Sequence, residues 1–313
     1  MLAALETVRT LNDHKITTER PIEIVSWTNE EGARFSPPMI ASGVFGGAYA
    51  LDWALDRVDD DGIRLGDELE RIGYRGDAPV GGRPIDAYFE LHIEQGPLLH
   101  EKGIDVGIVT HGYAAHGLIV EVKGETAHTG PWPMDKRRNA LVGASMLAVA
   151  AHEIGWKFHD TQGKGTAARI VAWPNRPGIL SDWAQFTGDF RHNDPQKADE
   201  MLALFKQEIE RAKQRANVDM EILDEWGWRP DLFAPECIQL LRDCAARLEL
   251  PTLDLPSQAG HDAYFMAQVA PTAMIFTPCT DGITHNNNEH ATLEKSLPGV
   301  NVLINAALAR ANR

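Results

Sequence analysis

The sequence predicts an α/β domain into which a smaller α+β unit of ferredoxin-like order is inserted. Three observations carry this reading. Helix and strand patterns alternate at both ends of the chain, the middle follows a β-α-β-β-α-β order, and polar residues gather where the outer strands stop. The length agrees, since 313 residues suit about two domains with substantial cores.

Leu2, Leu5, Val8 and Leu11 recur at helical spacing and predict an opening helix. Pro21 then introduces IEIVSW (residues 22–27), a short apolar run with polar flanks that predicts a buried strand. TNEEGARF follows at the point where that strand would end. AYFELHIEQG (87–96) and GIDVGIVTHG (103–112) predict two more strands, the first ending in polar residues.

The middle has a different rhythm. Leu118 to Val122 alternate as a strand does, 137–151 has the apolar face of a helix, and 167–173 and 183–190 read as strands. Asp194 caps a helix with Pro195 at its first position, running to about Ala216. Ile222 and Leu223 sit in a last short strand. A helix at 236–248, an apolar strand at 272–276 and a helix from about Leu293 then resume the α/β pattern. Domain limits follow at 1–116 with 225–313, and 117–224 for the insert.

Hydrophobic residues at 43% and charged residues at 24% are the make-up of a globular protein. A net charge of -15 argues against a nucleic-acid surface, which needs clustered Lys and Arg. Cys237, Cys244 and Cys279 form no CxxC pair and are odd in number, which predicts no disulfide framework and a cytoplasmic setting. The opening MLAALETVRTL lacks the basic flank and cleavage site of a signal peptide. No apolar run approaches the roughly 18 residues of a membrane span.

Glu30 and Glu31 are adjacent carboxylates ahead of Gly32, just past a strand end. His92 and Glu94 end a second strand, and His285 lies in GITHNNNEH (282–290) after a third. A Glu pair in a turn, or a lone loop His, is most often solvated surface. Three segments that each bring a His or Glu to a strand end make a stronger candidate metal site together than any one alone.

TNEEGARF (28–35), LHIEQGPLL (91–99), AHTGPWPMDKRRNAL (127–141), DFRH (189–192), QAGHDA (258–263) and GITHNNNEH (282–290) occur in this order. Together they resemble the N-carbamoyl-L-amino-acid hydrolases, allantoate amidohydrolases and β-ureidopropionases, within the wider aminoacylase and zinc-carboxypeptidase superfamily. The resemblance implies a metallopeptidase-like catalytic domain with an inserted dimerisation (lid) domain. It implies a homodimer that cleaves a linear C–N bond in a small molecule, while the charge and the lack of a long apolar run predict no nucleic-acid or membrane partner.

The same resemblance implies roles. Glu30 is the general base, Glu31 ligates one metal, His92 ligates the other, and His285 joins Glu31. Two divalent ions (Zn²⁺, Mn²⁺ or Co²⁺), about 3.5–4 Å apart, would acidify a bridging water. His128 corresponds to a residue that reaches the partner subunit's site to stabilise an oxyanion. Arg191 corresponds to a clamp on the substrate carboxylate, and Gly260 to a backbone position close to substrate. Plainer readings stand beside these: His128 caps a turn before Gly130, and Arg191 pairs with Asp189 or Asp194. His261 and Asp262 open a helix by capping. His111 and His116 border the junction with the insert and receive no role.

The pattern also has departures. Family members carry an earlier segment in which a His and a bridging Asp complete both metal sites, and no HxD followed by a Gly-rich DG stretch occurs in this chain. Glu31, His92 and His285 would leave each ion one or two protein ligands, where catalytic sites usually take three plus water. Two expectations stay open: a segment of a longer enzyme, or a non-catalytic homologue that keeps the fold. Gly178 stands where carbamoylases carry an Asn, and HGYAAHG (111–117) and PWP (131–133) differ too. The expected substrate is an N-carbamoyl amino acid or related ureido compound, with an aminoacylase or dipeptidase activity as the alternative.

Overall fold

Backbone pairing sorts the strands into two four-stranded sheets, one in each of two units. The structure, a computed structural model, describes residues 1–229 and 233–313. In chain order the elements are α1 (Leu2–Asp13), α2 (Ile40–Phe45), α3 (Leu51–Leu55), α4 (Leu65–Arg71), β1 (Tyr88–Ile93), α5 (Leu98–Lys102), β2 (Val106–Gly112), β3 (Ala114–Lys123) and α6 (Ala140–Lys157). They continue with β4 (Lys164–Trp173), β5 (Trp183–His192), α7 (Pro195–Ala216), β6 (Asp219–Trp228), α8 (Pro235–Arg247), β7 (Thr252–Ser257), α9 (Asp262–Met266), β8 (Thr272–Thr277) and α10 (Leu293–Ala311). The first unit comprises 1–112 and 230–313, the second 113–229.

The first unit holds a mixed sheet of order β1-β8-β2-β7, in which β1 runs parallel to β8 and β8 antiparallel to β2. β8 is buried along its whole length and apolar between its terminal threonines, as a central strand covered on both faces must be. Helices α8 and α10 pack on β8, as does α9, which also meets β1. Gly299 lets α10 approach closely, since a Cβ there would stand 2.5 Å from the Thr277 side chain. β7 was not foreseen from sequence. Its residues TLDLPS include Pro256, tolerated because β7 is an edge strand.

One expected strand is absent. Residues 22–27 form no strand, and Ile24 and Val25 are each 37% exposed. A strand exists only through a neighbour that exchanges backbone hydrogen bonds, and among the described residues none pairs with this run. Its end is held by a side chain instead: Trp27 Nε1 donates to the Tyr88 hydroxyl at 3.1 Å and the indole meets the Phe45 ring edge-on.

The second unit has the antiparallel order β4-β5-β3-β6 with α6 and α7 as its helices, the ferredoxin-like plan the sequence predicts. Its edges coincide with the ends of β3 and β6, because their ladder already pairs Ala115 with Trp228. The limits therefore fall at 113 and 229 rather than 117 and 224. Alternate residues Leu118, Val120 and Val122 of β3 and Ala184, Phe186 and Phe190 of β5 face Leu147, Ala151, Met201 and Phe205 of the helices. Phe205 stacks on Phe186 with centroids 5.6 Å apart and meets Phe190 at 4.9 Å. α7 starts where Asp194 accepts the Gln196 N–H at 2.9 Å, with Pro195 first, and stops at Asn217 in the left-handed region.

All three cysteines are buried and unbridged. No helix among the described residues is long and apolar enough to cross a membrane.

Candidate active site

The NEEG loop shapes itself before its carboxylates do anything. Asn29 takes φ +57°, a region Asn tolerates, and its side chain brackets Phe35, donating to the carbonyl at 2.7 Å and accepting the N–H at 3.3 Å. Gly32 has φ +67°, and a Cβ there would meet Pro38 N at 2.7 Å, so glycine is required twice over. The Glu30 carbonyl accepts the Met39 N–H at 2.7 Å, which ties the loop to the start of α2. The Glu30 carboxyl is half-buried, and its pKa is raised by burial first and by the Glu31 charge second, with His285 opposing. Glu31 points outward and meets His285, Oε2 to Nε2, at 3.3 Å.

His285 is placed by its own loop. It sits at φ +52°, an uncommon conformation for a non-glycine residue. Glu289 holds it there, its Oε2 accepting the His285 N–H at 3.1 Å and the Thr284 hydroxyl at 2.8 Å. Those bonds pull the Glu289 carboxyl below its usual range. Gly282, at φ +70°, presses on the turn after β1, where a Cβ would lie 2.4 Å from Pro97 N. Glu289 was missed in sequence because an exposed loop Glu carries no distinguishing pattern.

His92 ends β1 opposite Phe276 of β8. Its Nδ1 lies 2.8 Å from the Ile93 carbonyl, which makes Nδ1 the donor and leaves Nε2 with the lone pair. Burial lowers its pKa. Glu94, grouped with His92 at the sequence level, serves otherwise: its carboxylate accepts the N–H groups of Leu98 and Leu99 at 3.0 and 2.7 Å and caps α5.

Beneath His92 lies a buried polar cluster that sequence reasoning overlooked. Glu90 Oε2 accepts the Tyr88 hydroxyl at 3.0 Å and the Ala263 N–H at 2.9 Å. The cap of α9 thus comes from β1, not from the GHDA turn, and the helix's own N-cap residue, His261, makes no side-chain cap bond. Asp262 instead accepts the hydroxyl of Ser42 on α2. Burial raises Glu90 to about 7 and Asp262 to about 8; the Glu90 charge adds to the rise at Asp262, and the Glu30 charge adds to both. Gly260 is half-buried between Ala259, whose carbonyl takes the Tyr264 hydroxyl at 2.7 Å, and His261.

His128 and Arg191 belong to the second unit. His128 is exposed, bridged to Ile179, and its Nδ1 accepts the Gly130 N–H at 3.0 Å, the turn contact of the plainer reading. That same bond puts the ring proton on Nε2. Gly178, whose carbonyl accepts the Thr129 N–H at 3.1 Å, has φ +85°. Arg191 donates through Nε at 2.7 Å and an Nη at 3.2 Å to Asp189, and its guanidinium lies over the Trp228 ring. Asp194, the other partner considered, caps α7.

A metal centre needs convergent donors. The 3.3 Å between Glu31 and His285 is about the edge of a coordination tetrahedron with bonds of about 2.0–2.1 Å. Yet no group of three or more His, Cys, Asp or Glu side chains able to hold an ion exists among the described residues. The donors present make one edge of a site and do not complete one.

The chain matches the profile of the peptidase family M20/M25/M40 over residues 1–309. The chain belongs to that family. It is 40% identical over 311 residues to an N-carbamoyl-L-amino-acid amidohydrolase of Rhizobium meliloti, an alignment spanning 99% of this chain and 74% of that protein. A ureidoglycolate hydrolase of Oryza sativa subsp. japonica is 29% identical over 99% of this chain and 66% of its own length. The crystal structure of a hydantoinase/carbamoylase-family amidase from Burkholderia vietnamiensis superposes with a TM-score of 0.97 at 43% identity, covering 100% of this chain and 75% of that one. This member of family M20/M25/M40 is an amidohydrolase acting on a ureido or amide C–N bond. The family generally uses divalent metals, and the donor set described above does not by itself supply them a closed site.

Proposed function

We propose that the protein hydrolyses the linear C–N bond of an N-carbamoyl amino acid or a related ureido compound, as a cytoplasmic homodimer. The observation that carries this is Glu30: a half-buried carboxyl with a raised pKa, beside the Glu31–His285 pair, in a chain 40% identical to a carbamoyl-amino-acid amidohydrolase. A carboxyl so tuned takes a proton from attacking water and returns it to the leaving amine. His128, protonated at Nε2, donates to the oxyanion. Arg191, steadied by Asp189, binds the substrate carboxylate, and the backbone at Gly260 borders the substrate.

The test is release of the free amino acid from N-carbamoyl amino acids, N-acetyl amino acids and dipeptides, each with and without added Zn²⁺, Mn²⁺ or Co²⁺, with ammonia measured beside it for the carbamoyl substrates. Turnover of carbamoyl substrates that Glu30→Gln abolishes supports the reading. Turnover confined to N-acetyl amino acids or dipeptides would replace it with an aminoacylase or dipeptidase. Among the described residues no third ligand converges on Glu31 and His285, so Tm is followed with added metal beside turnover; no turnover and no metal-linked rise in Tm would overturn the reading.

A further inference from the structure

We propose that His261 is a positioning residue for His92, holding its imidazole in the one orientation and tautomer that present Nε2 outward. The two rings meet edge to face, with centroids 4.7 Å apart and planes at 63°. His261 is 1% exposed, and a buried imidazole costs free energy unless its nitrogens find polar partners. Its Nε2 lies 2.9 Å from Ser257 Oγ at the end of β7, while its Nδ1 faces Glu90 Oε1 on β1 at 3.7 Å, an electrostatic approach beyond hydrogen-bond distance. Tyr264 and Phe276 close the remaining sides, with centroids at 5.8 and 5.6 Å.

The His261 ring is therefore held by its bond to Ser257 and by two neighbouring rings, and Glu90, which faces its Nδ1, is itself pinned by Tyr88 and the Ala263 N–H. A core position filled only for packing would take Phe or Leu without that polar frame. His92 by contrast has one local bond, Nδ1 to the Ile93 carbonyl, and a ring with one such bond swings unless something rigid blocks it. His261 is that block. Its effect on turnover rests on the hydrolysis proposed above; its effect on the His92 ring does not.

The experiment is long-range proton–nitrogen NMR on protein labelled with ¹⁵N-histidine, at a pH where imidazoles are neutral, with His92→Gln providing the assignment. The native protein should show His92 as a single Nδ1–H tautomer. Ser257→Ala, which removes only one hydroxyl, and His261→Phe, which keeps a ring but no polar atom, should each shift His92 toward a tautomer mixture. In both, kcat should fall at least tenfold with KM within threefold, and His261→Gln should recover part of kcat. His92 resonances unchanged in both variants would overturn the proposal, as would a rise in KM at constant kcat. A native protein with no hydrolase activity would sink the function reading, and the tautomer measurement would still decide this one.

Discussion

Glu30 and Glu31 are neighbours in sequence with different surroundings, because Asn29 and Gly32 bend the chain sharply around them. Glu30 turns toward the protein and its proton affinity rises; Glu31 turns toward His285. Replacing Glu30 with Gln keeps the shape and removes the base, so kcat should fall roughly 10²- to 10⁴-fold with an unchanged melting curve. A variant with native kcat would remove Glu30 from the mechanism. Gly32→Ala forces a side chain into a left-handed backbone and onto Pro38, and should cost about 1–3 kcal/mol in urea denaturation. At this scale the motifs NEEG, HIEQG and GITHNNNEH could be picked out locally, and of the residues they nominate the structure brings Glu31 and His285 within 3.3 Å. Glu90, His261 and Glu289 were not legible, because a Glu two residues before a His, or a His in GHDA, looks the same whether it packs, caps or positions.

Among the elements, α7 could be read almost to the residue, since its cap, its first-position Pro and its apolar spacing are all local. Asp194→Ala should lower stability by about 0.5–2 kcal/mol, and a denaturation midpoint unmoved by it would show that the cap bond contributes nothing. Leu147→Ala, at a fully buried position on α6, should cost more, about 2–5 kcal/mol. Residues 22–27 show the opposite case. Their composition is that of a strand, but strand formation depends on a partner elsewhere in the chain, and no pattern within six residues reports whether one is there.

Across the whole molecule, the buried carboxyls link stability to pH. Asp262 rises from 3.8 to about 8 and Glu90 from 4.5 to about 7, both chiefly through burial. Folded values above unfolded ones mean that the folded state binds more protons between them. Stability from these groups is thus full below ordinary carboxylate values and is lost as pH rises toward about 8, by at most about 1.4 kcal/mol per pH unit for each group. Asp262→Asn keeps an acceptor for Ser42 and cannot ionise, so the urea midpoint should fall less between pH 6 and 9 than in the native protein. An identical fall in both would show that Asp262 does not titrate in that range. For metals, reconstitution with Mn²⁺ or Zn²⁺ and removal of excess should leave fewer than two tightly held ions per chain, because no three donors converge among the described residues. Two tightly held ions would reveal a ligand set beyond Glu31, His92 and His285.

By itself the sequence determined the longer helices α1, α6, α7, α8 and α10, the ferredoxin-like order of the insert and the motif set that places the chain in its family. Each of these depends on residues within a few positions of one another, where backbone geometry and hydrogen bonding act directly. Only the tertiary structure decided that Ser42 would meet Asp262 across 220 positions, that Glu90 would cap a helix 173 residues away, and that His261 would lie beneath His92. Burial and charge coupling act through space, so proton affinity and ring orientation at this site depend on pairings that no local pattern encodes.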